Sequence, residues 1–83
     1  MVVGVSRAEV AAAVAGALEV DPGSVEGLHR SDDGPWDSVG HIQVILVTEE
    51  LIGIPLLEDD LAAITCLEDL MAAIQRAGSA TEG

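Results

Sequence analysis

The hydroxyl of Ser38 is the side chain in this sequence best placed to do chemistry. It follows Asp37 in the segment Trp36-Asp37-Ser38-Val39-Gly40-His41-Ile42, where apolar residues at helical spacing begin. A serine beside a helix start commonly serves as an N-cap. It can also stand exposed there, where backbone N–H groups and the helix dipole accommodate an incoming phosphate. No catalytic triad is visible around this one. The other candidates point to less. His41 lies one turn after Asp37 and His29 lies in a loop, but neither belongs to a metal-ligand spacing. Cys66 sits among apolar residues and reads as a small buried side chain. Ser31-Asp32-Asp33-Gly34 lacks the alternate acids and closing glutamate of a calcium loop.

Four helices must position that serine. Ser6-Arg7-Ala8-Glu9 has the form of a capping box, so a first helix is predicted over about residues 7–19, with Val10, Val14, Ala17 and Leu18 on its apolar face. Asp21-Pro22-Gly23 ends it. A long polar connection over 21–37 follows, with Val25 and Leu28 as anchors and Trp36 as a partly buried plug. So long a loop in so small a domain is uncommon and often functional. Asp37 then caps a second helix over 38–52, which stops before Gly53-Ile54-Pro55. Glu58, Asp59 and Asp60 suit the first turn of a short third helix, facing the positive end of its dipole. Thr65-Cys66-Leu67-Glu68 reads as a second capping box. Leu67, Leu70, Met71 and Ile74 then carry a fourth helix to about Ala77, with a frayed tail over 78–83. The predicted fold is all-α: a small bundle of three longer helices and one short one.

The second helix is apolar on two sides. At the α-helical period, Val44, Ile45, Thr48, Leu51 and Ile52 gather on one side. Val39, Ile42 and Leu46 form a separate stripe on the other, beside Gln43, Glu49 and Glu50. A domain of this size is not expected to bury both fully. The stripe rimmed by Glu49 and Glu50 is the one expected to stay open, as a docking surface. The alternative is a central helix buried on all sides.

Composition narrows the function classes. The chain has 83 residues, one domain, with little volume for a deep substrate pocket, which weighs against a self-contained enzyme. Fifteen acidic residues face three arginines and no lysine, for a formal net charge of -12. Such a field repels nucleic acid and anionic membrane surfaces and attracts basic protein patches. The hydrophobic share of 49% argues against disorder. One cysteine allows no internal disulfide. Met1-Val2-Val3-Gly4-Val5 lacks the basic and long apolar regions of a signal peptide, and no apolar run approaches the ~20 residues of a membrane span. A cytoplasmic monomer is the expectation.

The Trp36–Ile42 segment resembles the Asp-Ser-Leu signature of acyl and peptidyl carrier proteins. The Glu49-Glu50 pair, the Ile64-Thr65-Cys66-Leu67 stretch and the helical pattern up to Ile74 fall where that family has counterparts. The resemblance spans about residues 6–77. It implies an acyl-carrier-type bundle with no catalytic residues, in which Ser38 bears a covalent phosphopantetheine arm from coenzyme A. By the same resemblance, Asp37 helps present the site to a phosphopantetheinyl transferase. Val39, Ile42, Leu46, Glu49 and Glu50 form the partner face, which Glu58, Asp59 and Asp60 extend. The implied partners are that transferase and acyl-loading and acyl-processing enzymes with basic docking patches. A small groove between the helices would shelter the cargo. Val39 stands where leucine is commonest in the family, and Gly40-His41 replaces the acidic-polar pair of primary fatty-acid carriers. Those departures look more like discrete carriers of specialised pathways, such as polyketide or modified-acyl assembly. An aminoacyl or peptidyl carrier shares the fold and the arm. An acidic helical interaction module without a cofactor accounts for the size and charge equally well.

Overall fold

A computed structural model describes residues 4–82 of the chain. Helix α1 spans Arg7–Leu18, a 3-10 helix spans Pro22–Gly27, α2 spans Ser38–Ile52, α3 spans Glu58–Leu61 and α4 spans Leu67–Glu82. No strand occurs among the described residues, so the all-α expectation holds. No described helix is long and apolar enough to cross a membrane.

Local chemistry sets most of these boundaries. The Ser6 hydroxyl accepts from the Glu9 backbone N–H while the Glu9 carboxylate accepts from the Ser6 N–H, both at 3.1 Å. That reciprocal pair starts α1 as the sequence predicts. Glu19 ends it in the left-handed region at φ 58°. Asp21 caps the 3-10 helix, so the polar connection is more ordered than a plain loop. Gly53 closes α2 at φ 77°, a conformation glycine adopts at no steric cost.

Two expectations change at α4. Its start is shifted by one residue. Thr65 does not pair with Glu68; its hydroxyl donates to the Asp69 carboxylate at 2.6 Å and its N–H to the same oxygen at 3.0 Å. Glu68 instead pairs with Arg7 at 3.1 Å. The helix also runs on to Glu82 rather than stopping near Ala77. Ile74, Ala77 and Gly78 are all buried, so the inward stripe continues through Gly78 and holds that turn helical. Gly83 lies outside the described residues.

The core is built from Val10, Val14 and Leu18 of α1, Val25 of the 3-10 helix, Val44 and Ile52 of α2, and Leu67, Leu70 and Ile74 of α4, with Trp36, Leu56 and Ile64 from the connections. Ala11 and Ala15 widen the buried face of α1, while Ala17 is only half-buried. Arg7 ties three elements on the surface. Its guanidinium grips Glu26 through two hydrogen bonds of 2.9 and 2.7 Å and also reaches Glu68. That contact raises the Arg7 pKa and holds the Glu26 carboxyl below the usual carboxylate range. Backbone pairing of His29 with Cys66, with the Arg30 N–H donating to the Thr65 carbonyl at 2.7 Å, pins the long connection to the start of α4.

Candidate functional site around Ser38

Ser38 is the first residue of α2 and is exposed. The capping work falls to its neighbour. Asp37 Oδ1 accepts from the Gly40 N–H at 2.8 Å, while the Asp37 carbonyl accepts from the His41 N–H at 2.8 Å. Among the described residues nothing hydrogen-bonds to the Ser38 hydroxyl. The local chemistry follows: a short acidic side chain satisfies one of the free N–H groups in the first turn of the helix. The serine is left at the rim with a free hydroxyl beside the positive end of the dipole. Among the described residues no basic or nucleophilic side chain hydrogen-bonds to it.

The loop before Ser38 is rigidly anchored. Trp36 is fully buried, not the partly exposed plug the sequence suggests. Its indole Nε1–H donates to His41 Nδ1 at 3.0 Å, and the two rings meet edge to edge, 25° from parallel, at a centroid separation of 6.3 Å. The accepting Nδ1 places the imidazole proton on Nε2, which donates to the Leu61 carbonyl at 2.7 Å. His41 thus joins the loop, α2 and α3, and both its ring nitrogens are in use. The Ser31 N–H donates to the Trp36 carbonyl at 2.9 Å, closing the loop on itself.

Gly40 explains how the loop can lie so close. A Cβ built there would meet the Pro35 carbonyl oxygen at 2.6 Å and Leu18 Cδ2 at 2.8 Å. Any larger residue must push the loop or α1 away. Gly40 and His41 therefore do structural work at the head of the helix. Sequence reasoning treated them as departures from a motif and missed this. The five-residue spacing of Trp36 and His41 across a helix start was the available signal.

The outward stripe is present. Val39, Ile42 and Leu46 are 68%, 59% and 54% exposed, on the same helix as Ser38 and beginning beside it. Three large apolar side chains thus stand exposed in one row on a small domain. Glu50 and Gln43 are exposed next to them. Glu58 and Asp59 are exposed on α3, and Asp60 is bound by Arg76 at 2.9 Å.

Glu49 departs from its expected role. It is half-buried, and its Oε2 accepts from the Leu56 N–H at 2.8 Å. Its carboxylate fixes the turn that leads into α3. Glu50 remains the free acid of the α2 rim. Cys66 is half-buried rather than buried, near the Asp69 carboxylate.

On the inward side of α2, Thr48 is fully buried and its Oγ1 has no hydrogen-bond partner among the described residues. A buried hydroxyl left unsatisfied costs about 1–3 kcal/mol. The core side chains close on one another, and no pocket opens among the described residues, so the expected groove between the helices is shut. Comparisons with protein-family models, with curated proteins and with solved structures find no match to this chain.

Proposed function

We propose that the protein is a non-enzymatic carrier of acyl-carrier type, in which Ser38 bears a phosphopantetheine arm. The observation that carries this reading is the division of labour at the head of α2. Asp37 takes the capping role, so the Ser38 hydroxyl is exposed and unbonded at the start of a 15-residue helix whose next turns carry the open apolar row. A serine acting only as a cap would have its oxygen turned onto a backbone N–H.

The residues present suit the group. The first turn of α2 offers the positive end of the helix dipole to a phosphodiester, and the loop that leads into Ser38 is held against the helix by Trp36, Gly40 and His41. The arm, once attached, supplies a terminal thiol that holds cargo as a thioester. The chain's own residues position that attachment and present a recognition face. Val39, Ile42 and Leu46 give that face its apolar centre, and Glu50, Glu58 and Asp59 give it negative charge. A net charge of -12 steers partners with basic patches toward it and increases encounter rates. The partners this face fits are the phosphopantetheinyl transferase and enzymes that load and process the acyl cargo. Fatty-acid, polyketide and related specialised assembly all use such a part. An aminoacyl carrier would use the same architecture.

Intact-mass measurement after incubation with a broad-specificity phosphopantetheinyl transferase and coenzyme A tests the reading. A carrier gains one phosphopantetheine, and the Ser38→Ala variant gains none. An acidic interaction module without a cofactor stays unmodified in both forms.

A further inference from the structure

We infer that the Trp36–His41 hydrogen bond is a proton-sensitive latch: a proton taken up at His41 Nδ1 releases the indole and unseats the loop that leads into Ser38, while α3 stays attached.

The latch rests on which nitrogen does what. His41 is buried; its Nδ1 accepts from the Trp36 indole N–H, and its Nε2 lies 2.7 Å from the Leu61 carbonyl. A carbonyl only accepts, so Nε2 carries the proton and Nδ1 the lone pair. A further proton has one place to go, and that place is Nδ1. There it turns the acceptor into a donor aimed at the indole N–H, which is a donor only. The Nε2–H bond to Leu61 survives, because an imidazolium donates from both nitrogens. Protonation therefore cuts one of the two ties and spares the other.

The tie that is cut is the loop's one polar anchor. Over residues 31–36 the other hydrogen bonds are internal: the Ser31 N–H to the Trp36 carbonyl, the Gly34 N–H to the Ser31 carbonyl and the Asp33 N–H to Ser31 Oγ. Among the described residues, only the Trp36–His41 bond joins this loop to the rest of the protein by a hydrogen bond.

No carboxylate compensates a charge on the ring. Asp37 Oδ1 holds the Gly40 N–H, Glu49 Oε2 holds the Leu56 N–H, and Asp60 is bound by Arg76. Glu58 and Asp59 of α3 and Glu19 after α1 are exposed. Among the described residues none of these acids hydrogen-bonds to the imidazole. A buried charge without a partner is costly, so the charged ring favours a state in which the loop moves off and water reaches Nδ1. Histidine ordinarily changes charge between about pH 5 and 8, above the range in which carboxylates take up protons.

Trp36 is the one aromatic residue of the Phe, Trp and Tyr class, so fluorescence reports on the latch directly. The test follows Trp36 emission and the nitrogen-15 shifts of the His41 imidazole from about pH 7.5 to about pH 5.5. It uses wild type, His29→Gln, which removes the other histidine, and His41→Gln, whose amide oxygen accepts but does not titrate. In wild type and His29→Gln, emission should move to longer wavelength as Nδ1 gains its proton, with helical circular dichroism unchanged. In His41→Gln it should stay constant. A wild-type His41 that becomes charged with Trp36 emission unmoved overturns the latch, as does one that stays neutral to the end of the range. So does a shift that His29→Gln abolishes. Labelling of Ser38 by a phosphopantetheinyl transferase and coenzyme A, which rests on the carrier reading, should slow over the same range in wild type relative to His41→Gln. A pH-independent ratio of the two rates would show that the latch does not reach Ser38. If neither protein is labelled at any pH, the carrier reading falls, and the emission and imidazole shifts still decide the latch.

Discussion

The indole N–H of Trp36 meets Nδ1 of His41 at 3.0 Å inside the core, and the opposite nitrogen of the same imidazole meets the Leu61 carbonyl at 2.7 Å. One side chain thereby holds the loop that precedes Ser38 and the short helix α3 at fixed positions relative to α2. Removing either partner leaves a buried polar atom unsatisfied. Trp36→Phe and His41→Leu should each lower stability by about 2–4 kcal/mol. The double variant should lose less than the sum of the two, with an interaction energy of about 0.5–3 kcal/mol. Urea unfolding of the four proteins measures this. Strict additivity would mean that the hydrogen bond adds nothing.

Gly40→Ala tests the close approach of the loop to the helix. On an exposed helix position alanine is better than glycine by about 1 kcal/mol. Here the added methyl would lie 2.6 Å from the Pro35 carbonyl oxygen, which is backbone and cannot rotate away. The variant should be less stable than wild type by about 1 kcal/mol or more. It should also accept phosphopantetheine more slowly, because the loop before Ser38 must shift. A gain in stability would show that the loop yields freely.

Glu49 and Glu50 are neighbours in sequence with different tasks, and lysine at each separates them. Glu50→Lys changes an exposed acid beside the apolar row, so stability should stay within about 0.5 kcal/mol. Transfer to basic partners should slow, and the deficit should shrink as salt is added. Glu49→Lys strips the Leu56 N–H of its acceptor and should cost about 1 kcal/mol of stability. Equal stabilities for the two variants would contradict the assignment of Glu49 to the turn.

Asp69 gives a pH dependence. The Thr65 hydroxyl and then the Thr65 N–H hold its carboxyl below its ordinary value of 3.8. A carboxyl lowered by folding binds its proton more weakly in the folded chain than in the unfolded one. Its contribution is complete above the unfolded value and is lost as pH falls through the lower, folded value. Asp69→Asn should therefore be less stable than wild type at pH 7, and the gap should close as pH drops from about 4 downward. Denaturant midpoints across that range measure it. A gap that persists unchanged at low pH would assign the effect to packing instead of charge.

What the sequence made legible was local. The Ser6–Glu9 box lies within one turn, and Asp37 and Gly53 punctuate α2 at both ends, so residues 38–52 could be bounded by their own neighbours. The split of α2 into an inward and an outward stripe also followed from spacing: Val39, Ile42 and Leu46 lie on the exposed side and Val44, Thr48 and Ile52 are buried, while Ile45 is half-buried and Leu51, expected inward, is exposed at the end of the helix. What the sequence hid was mostly contact at a distance. His41 and Leu61 are 20 residues apart, and Glu49 meets Leu56 only because Gly53 turns the chain back. Nothing in the order of residues distinguishes a glutamate on a docking rim from one that caps a turn. The shift of the second box from Glu68 to Asp69 has a similar cause, since Arg7 of a different helix competes for Glu68. The continuation of α4 through Gly78 depends on burial against other helices, which overrides the weak helix preference of glycine.

The most direct test of the account is fragment-ion mapping of the protein after exposure to a phosphopantetheinyl transferase and coenzyme A. The account predicts a single phosphopantetheine on every molecule, carried by the oxygen of Ser38 and absent from Ser38→Ala. An unmodified Ser38, or an adduct on Ser31 or any other residue, would contradict it.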